Sequence, residues 1–117
     1  MSIQRRNLTE RYANIVINDG RVYLAGVIPS NWNGSIKEQA LQVFSNIDTL
    51  LAEAGTDKSH MLSMMCFISN FDDFDEFNAA YDSWIDADNL PTRATVQSVL
   101  VDKRIKLELV VVAAQTE

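Results

Sequence analysis

A chain of 117 residues with a formal net charge of −6 suits one domain and repels polyphosphate at long range. A general nucleic-acid binder needs clustered cations to release counterions, and the cluster here, Arg5, Arg6 and Arg11, is interrupted by Glu10. One cysteine, Cys66, and one histidine, His60, exclude an intramolecular disulfide and leave too few ligands for a structural zinc site.

Residues 1–11 read as a solvated N-terminal arm and 12–117 as a single domain, with no repeat and no low-complexity tract. No apolar run approaches the ~20 residues of a membrane span. Met1-Ser2-Ile3-Gln4-Arg5-Arg6 is not followed by the hydrophobic core of a signal peptide, so a soluble cytoplasmic protein is expected.

Tyr12 to Ile17 and Arg21 to Gly26 form a hairpin about Asn18-Asp19-Gly20, because Asp-Gly accepts the positive φ of a tight turn. Ser30 to Gly34 is a polar loop whose Trp32 lids apolar surface or lines a pocket. Ser35-Ile36-Lys37-Glu38 is a capping box. Apolar residues then recur at three- and four-residue steps from Ile36 to Ala54, ending at Gly55, and predict a helix that covers a sheet. Asn46 borders that stripe as a packing or capping residue.

Met61 to Ser69 is a strand too apolar for exposure on either face, with Cys66 in its middle as a small buried hydrophobe. His60, without an acidic or serine partner to make it a recognisable base, reads as a surface residue. Asn70 and Asp72 compete to cap a second helix running to about Asp86, with Phe71, Phe74, Phe77, Tyr81, Trp84 and Ile85 on its apolar side. The acidic residues opposite lack the spacing of a calcium loop and suit a solvated face.

Thr92 to Leu100 and Ile105 to Ala113 are the last strands. Arg93, Thr95 and Gln97 share one face of the first. Arg93 cannot shed its proton and requires an anion, either a side chain or a ligand. If these strands form a hairpin, Glu108 lies opposite Arg93 within one register step, as a cross-strand neighbour. The order ββαβαββ predicts an α+β domain, with two helices on one face of a mostly antiparallel sheet. Val110-Val111-Val112-Ala113-Ala114 is apolar on both alternations, and a symmetric oligomer would cover its second face.

These residues resemble the YjgF-type or Rid (reactive intermediate deaminase) family from about Tyr12 to Ala114. The resemblance rests on the order and spacing of Tyr23-Leu24-Ala25-Gly26-Val27-Ile28-Pro29, Glu53-Ala54-Gly55, Asp73-Phe74-Asp75-Glu76-Phe77-Asn78 with Tyr81, Pro91-Thr92-Arg93 and Leu107-Glu108-Leu109. It implies a chorismate-mutase-like homotrimer with clefts between subunits, hydrolysing 2-imino acids or their enamine tautomers to 2-oxo acids and ammonia. It also implies Arg93 as the clamp for the substrate carboxylate, Glu108 beside the attacking water, and Tyr12, Gly26 and Thr95 as substrate-binding positions. No metal or organic cofactor is implied, because a protonated imine is already an electrophile. Two departures stand out: Ala25-Gly26-Val27 replaces the family's Ser-Gly-Gln, and Thr95 replaces a cysteine.

Three readings follow: a deaminase, a non-catalytic binder of a small carboxylate metabolite, and a structural Arg93–Glu108 pair that only sets register. Ribonuclease activity ranks last on the acidic balance and the lack of a histidine pair.

Overall fold

In a computed structural model of the chain, which describes residues 2–116, eight elements follow one another in the order βββαβαββ. They are β1 (Gln4–Leu8), β2 (Ala13–Asn18), β3 (Arg21–Leu24), α1 (Ile36–Glu53), β4 (Met61–Ile68), α2 (Phe74–Trp84), β5 (Thr92–Gln97) and β6 (Leu107–Ala114). The strands form one sheet in the order β1-β2-β3-β6-β4-β5. All neighbours are antiparallel except β4 and β5, which run parallel because α2 carries the chain back between them.

The hairpin forms as expected. Asn18 pairs with Arg21, and the two turn residues Asp19 and Gly20 have φ of 54° and 77°, the left-handed pair of a type I′ turn. The capping box also forms, with Ser35 Oγ accepting from Glu38 N at 3.2 Å and Glu38 Oε1 accepting from Ser35 N at 3.0 Å. Gly55 takes φ 78° just beyond α1.

Four expectations are corrected. Residues 4–8 of the supposed arm form the edge strand β1 against β2; every residue of β1 is exposed, so no alternation betrays it. Arg6 reaches from β1 to the Glu53 carbonyl at the end of α1, 2.8 Å away. The last two strands do not form a hairpin, since β6 inserts between β3 and β4 and leaves β5 on the outer edge. The second helix stops at Trp84: Ile85 turns extended, and Asp86 accepts instead from Ser59, Asp88 and Asn89. Of the two cap candidates, Asn70 is used, on the short 3-10 turn Phe71–Asp73 that leads into α2.

Ile15, Val22, Leu24, Met64, Cys66, Ile68, Leu107, Leu109 and Val111 point from the sheet into the core. There they meet Val43, Phe44, Ile47 and Leu51 of α1, and Phe77 and Tyr81 of α2. Phe44 stacks on Trp84 with ring centroids 4.4 Å apart, joining the helices. The opposite sheet face carries Val16, Tyr23, Met65, Phe67, Val96, Val110 and Val112, and no helix covers it. No helix is long and apolar enough to cross a membrane.

Gln39 organises the loops above the core. Fully buried, it donates to the carbonyls of Trp32, Gly34 and Arg104 and accepts from Lys106 N at 2.8 Å. One side chain thus fixes both the 29–34 loop and the entrance to β6. Trp32 lies half-buried under the Arg104 guanidinium, 5.1 Å from ring centroid to Cζ. Asn46 holds the same loop by donating to Ile28 O at 3.1 Å, a packing role.

Candidate functional site

Arg93 and Glu108 lie on opposite faces of the sheet. In the β4 ladder Arg93 aligns with Met64 and Glu108 with Phe67, on either side of β4. Aligned residues share a face and successive ones alternate, so an odd offset of three puts them on opposite sides. Two strand spacings and three residue steps also separate them by roughly 10 Å in each direction of the sheet. The expected cross-strand neighbours are therefore apart, and a register-setting Arg93–Glu108 pair is excluded within one chain.

Arg93 has neutral company instead. Its guanidinium donates to Asn78 Oδ1 at 2.8 Å and lies over the rings of Tyr81, Phe77 and Phe74, at 4.8, 5.5 and 5.9 Å. Among the described residues no carboxylate forms an ion pair with it. Phe74, Phe77, Asn78 and Tyr81 stand at i, i+3, i+4 and i+7, one face of α2. The signal for Asn78 was present in the sequence as the one polar residue on that aromatic stripe.

Beside the guanidinium, the backbone of β5 offers free donors. Ser98 N donates to Ile68 O, and the alternation of a parallel ladder then turns Ala94 and Val96 toward β4. Arg93 and Thr95 direct their N–H and C=O groups to the open edge. The Thr95 side chain aligns with Cys66, whose thiol is pushed up by burial, against a smaller downward pull from Arg93 and a hydrogen bond to Thr95. Burial likewise raises the Tyr81 phenol. The reading of Cys66 as a buried hydrophobe holds.

The second group gathers at the other end of the structure. Tyr12, Ala25, Gly26, Ile28, Val101 and Glu108 line an open cleft of about 330 Å³. Its geometry follows from three backbone bonds: Ala25 N donates to Asn14 O, while Val27 and Leu109 exchange N–H···O bonds of 2.8 and 3.0 Å. These tie the segment after β3 to β6 and set Gly26 against Glu108. A Cβ on Gly26 would fall 2.0 Å from Glu108 Oε2, so only glycine leaves room for the carboxylate there.

Val27, at the position of the family's glutamine, is buried and belongs to the core, whereas Ala25 faces the cleft. A second opening of about 360 Å³ shares Tyr12, Gly26 and Ile28 and is walled by Asn7, Asn14, Asn46, Thr49 and Glu53. Sequence reasoning missed Ile28 and Val101 as cleft residues; an exposed valine in a loop carries no local mark of what it faces. His60 is exposed as expected but does have an acidic partner, Asp57 Oδ1 at 2.8 Å from Nδ1, at the far end of β4.

Of the five residues expected at the site, Tyr12, Gly26 and Glu108 thus meet in one cleft, and Arg93 and Thr95 sit together elsewhere. Chemically, one group can bind a carboxylate by a planar guanidinium, an amide and a free N–H. The other holds a carboxylate that can orient or deprotonate water.

Comparison with known proteins agrees with this architecture. Residues 3–115 match the family described as Endoribonuclease L-PSP. A RutC family protein of Haemophilus ducreyi is 36% identical over 112 residues, covering 96% of each chain. The crystal structure of a YjgF-family protein of Neisseria meningitidis superposes with a TM-score of 0.97 at 32% identity, over 100% of this chain and 98% of that one. A rat protein named 2-iminobutanoate/2-iminopropanoate deaminase is 28% identical over 110 residues, 89% of this chain and 80% of its own. The chain belongs to the RutC/YjgF (Rid) family and has its chorismate-mutase-like α+β fold.

Proposed function

We propose that this protein hydrolyses 2-imino acids, or their enamine tautomers, to 2-oxo acids and ammonia, as a cytoplasmic homotrimer that uses no metal or organic cofactor. The observation that carries the reading is Arg93, a half-buried cation facing neutral partners beside the unpaired edge of β5. A cation so placed is an anion site, and the guanidinium with the Thr95 N–H matches a carboxylate.

Arg93 and Glu108 cannot serve one substrate within a chain, so the reading places the β5 edge of one copy against the Tyr12–Gly26–Glu108 cleft of the next. The bare apolar sheet face supports such an assembly, because an exposed patch of this kind is stabilised by burial.

In the cleft, the clamp fixes the iminium carbon and Glu108 takes a proton from water as the new C–O bond forms. The C=N π electrons pass to nitrogen. Collapse of the carbinolamine breaks the C–N bond and returns the proton to the leaving amine, giving 2-oxo acid and ammonia. Orientation supplies much of the rate.

The test is release of 2-oxo acid from an amino-acid dehydratase reaction, with and without the protein. Acceleration that Arg93→Ala abolishes, in an oligomer that remains intact, supports the reading. Absence of acceleration with several 2-imino acids overturns it. Thermal stabilisation by a 2-oxo acid without turnover selects the alternative, a non-catalytic binder of a small carboxylate.

A further inference from the structure

Around Glu108, the cleft is lined by Ala25, Ile28, Val101 and the ring of Tyr12, leaving Glu108 as its sole charged group. Val101 is 83% exposed, and its neighbour Val99 is 97% exposed. Two valines in water on one short connection are uncompensated apolar surface, and one of them walls the cleft. The connection itself is held in place, by Gln39 at Arg104 O and Lys106 N and by the Asp102–Arg104 ion pair at 2.9 Å. Val101 is therefore presented to the cleft by a fixed loop.

We infer that Ala25, Ile28 and Val101 form the subsite for the substrate side chain and select 2-imino acids with aliphatic or thioether side chains over polar and acidic ones of the same size. The inference rests on the proposed deaminase reading for its substrate backbone, and on the lining of the cleft for its specificity. An aliphatic side chain covers Val101 and Ile28 from water. A carboxamide of equal volume gives up its water and finds no side-chain partner except the carboxylate that the reaction uses, and a second carboxylate is repelled by Glu108. Ala25 matters because a serine at that position would supply the missing hydroxyl.

Size-matched pairs separate polarity from volume. Imines generated in situ by a flavin-dependent amino-acid oxidase from leucine and asparagine, and from methionine and glutamine, are compared by kcat/KM for release of 2-oxo acid. The wild type should prefer the leucine- and methionine-derived imines by about tenfold or more, the scale of discrimination by a small apolar pocket. Ala25→Ser and Val101→Asn, both on accessible positions, should each shrink that ratio several-fold.

A wild-type ratio within twofold of one, or ratios unchanged in both variants, overturns the inference. Its fate is separable from that of the deaminase reading through binding alone. Stabilisation by 4-methyl-2-oxopentanoate and not by 2-oxoglutarate, without any turnover, would sink the deaminase and keep the subsite. Turnover with equal stabilisation by both would do the reverse.

Discussion

Gly26→Ala is the sharpest probe of the cleft. The added Cβ would lie 2.0 Å from Glu108 Oε2, 2.9 Å from Cδ and 3.3 Å from Cγ. Ordinary contact begins near 3.4 Å, so the carboxylate oxygen must retreat by about 3.4 − 2.0 = 1.4 Å. Misplacing a reacting group by about 1 Å can cost on the order of 100-fold in rate, which is about 2.7 kcal/mol of transition-state stabilisation. Stability should barely change. Gly26 is not at positive φ, the obstructing atoms end a flexible side chain, and alanine removes about 0.4–1 kcal/mol of unfolded-state freedom in compensation. The assay is kcat/KM on a 2-imino acid beside a melting curve, for Gly26→Ala, Glu108→Gln and the double variant. We expect a loss of about 100-fold with Tm within about 4 °C of wild type, and no further loss when Gly26→Ala is added to Glu108→Gln, since the two act through one group. Activity within threefold of wild type, or losses that multiply in the double variant, would refute the claim that Gly26 serves to seat Glu108.

Gln39→Leu should lower Tm by on the order of 10 °C, about 3 kcal/mol, because it strands three buried carbonyls and the Lys106 N–H at similar volume; a change under ~1 kcal/mol would show that water replaces it. Asp102 has its pKa drawn from 3.8 down to about 2, first by its side-chain hydrogen bond from Arg104 and then by the Arg104 N–H. The depressed folded value means its stabilisation is present above pH ~4 and lost as pH falls through about 2. The Tm difference between wild type and Asp102→Asn should therefore be constant near neutrality and close to zero by about pH 2, and a difference independent of pH would contradict this. Cys66, buried under β5 with its thiol pushed up by burial, should resist a disulfide-exchange reagent at pH 8 until the protein is unfolded; stoichiometric labelling of the native protein within minutes would place it elsewhere.

Features set by a few adjacent residues were legible in the sequence. Asp19-Gly20 dictates its turn through backbone φ, Ser35 and Glu38 satisfy each other across one helical turn, and Gly55 ends α1 for the same local reason. Pairings between distant segments were not. β1 has no buried residue and adheres by its ladder and Arg6, neither of which leaves an apolar pattern. The fate of β5 and β6 depended on which strand β4 accepts on each side, and a nine-residue connection is compatible with a hairpin or with a passage across β4. Arg93 and Glu108 were therefore correctly marked as unusual charges and incorrectly placed as neighbours.

That error is instructive about the site itself. Had Glu108 faced Arg93 in one chain, the pair would have satisfied each other, and a ligand carboxylate would have had to displace a hydrogen-bonded ion pair before binding. The same contact would hold Glu108 in its ionised state as an acceptor for the guanidinium, leaving it a poor group to take a proton from water. The fold avoids both outcomes by setting the two charges on opposite faces of the sheet. Arg93 is held by an amide and three rings, which stabilise a cation without neutralising it. Glu108 is seated on a glycine beside an apolar wall. On the proposed reading a substrate would then join them across two copies, its carboxylate on one and its imine carbon near the other, so that the pairing absent from the single chain is completed by the molecule on which it acts.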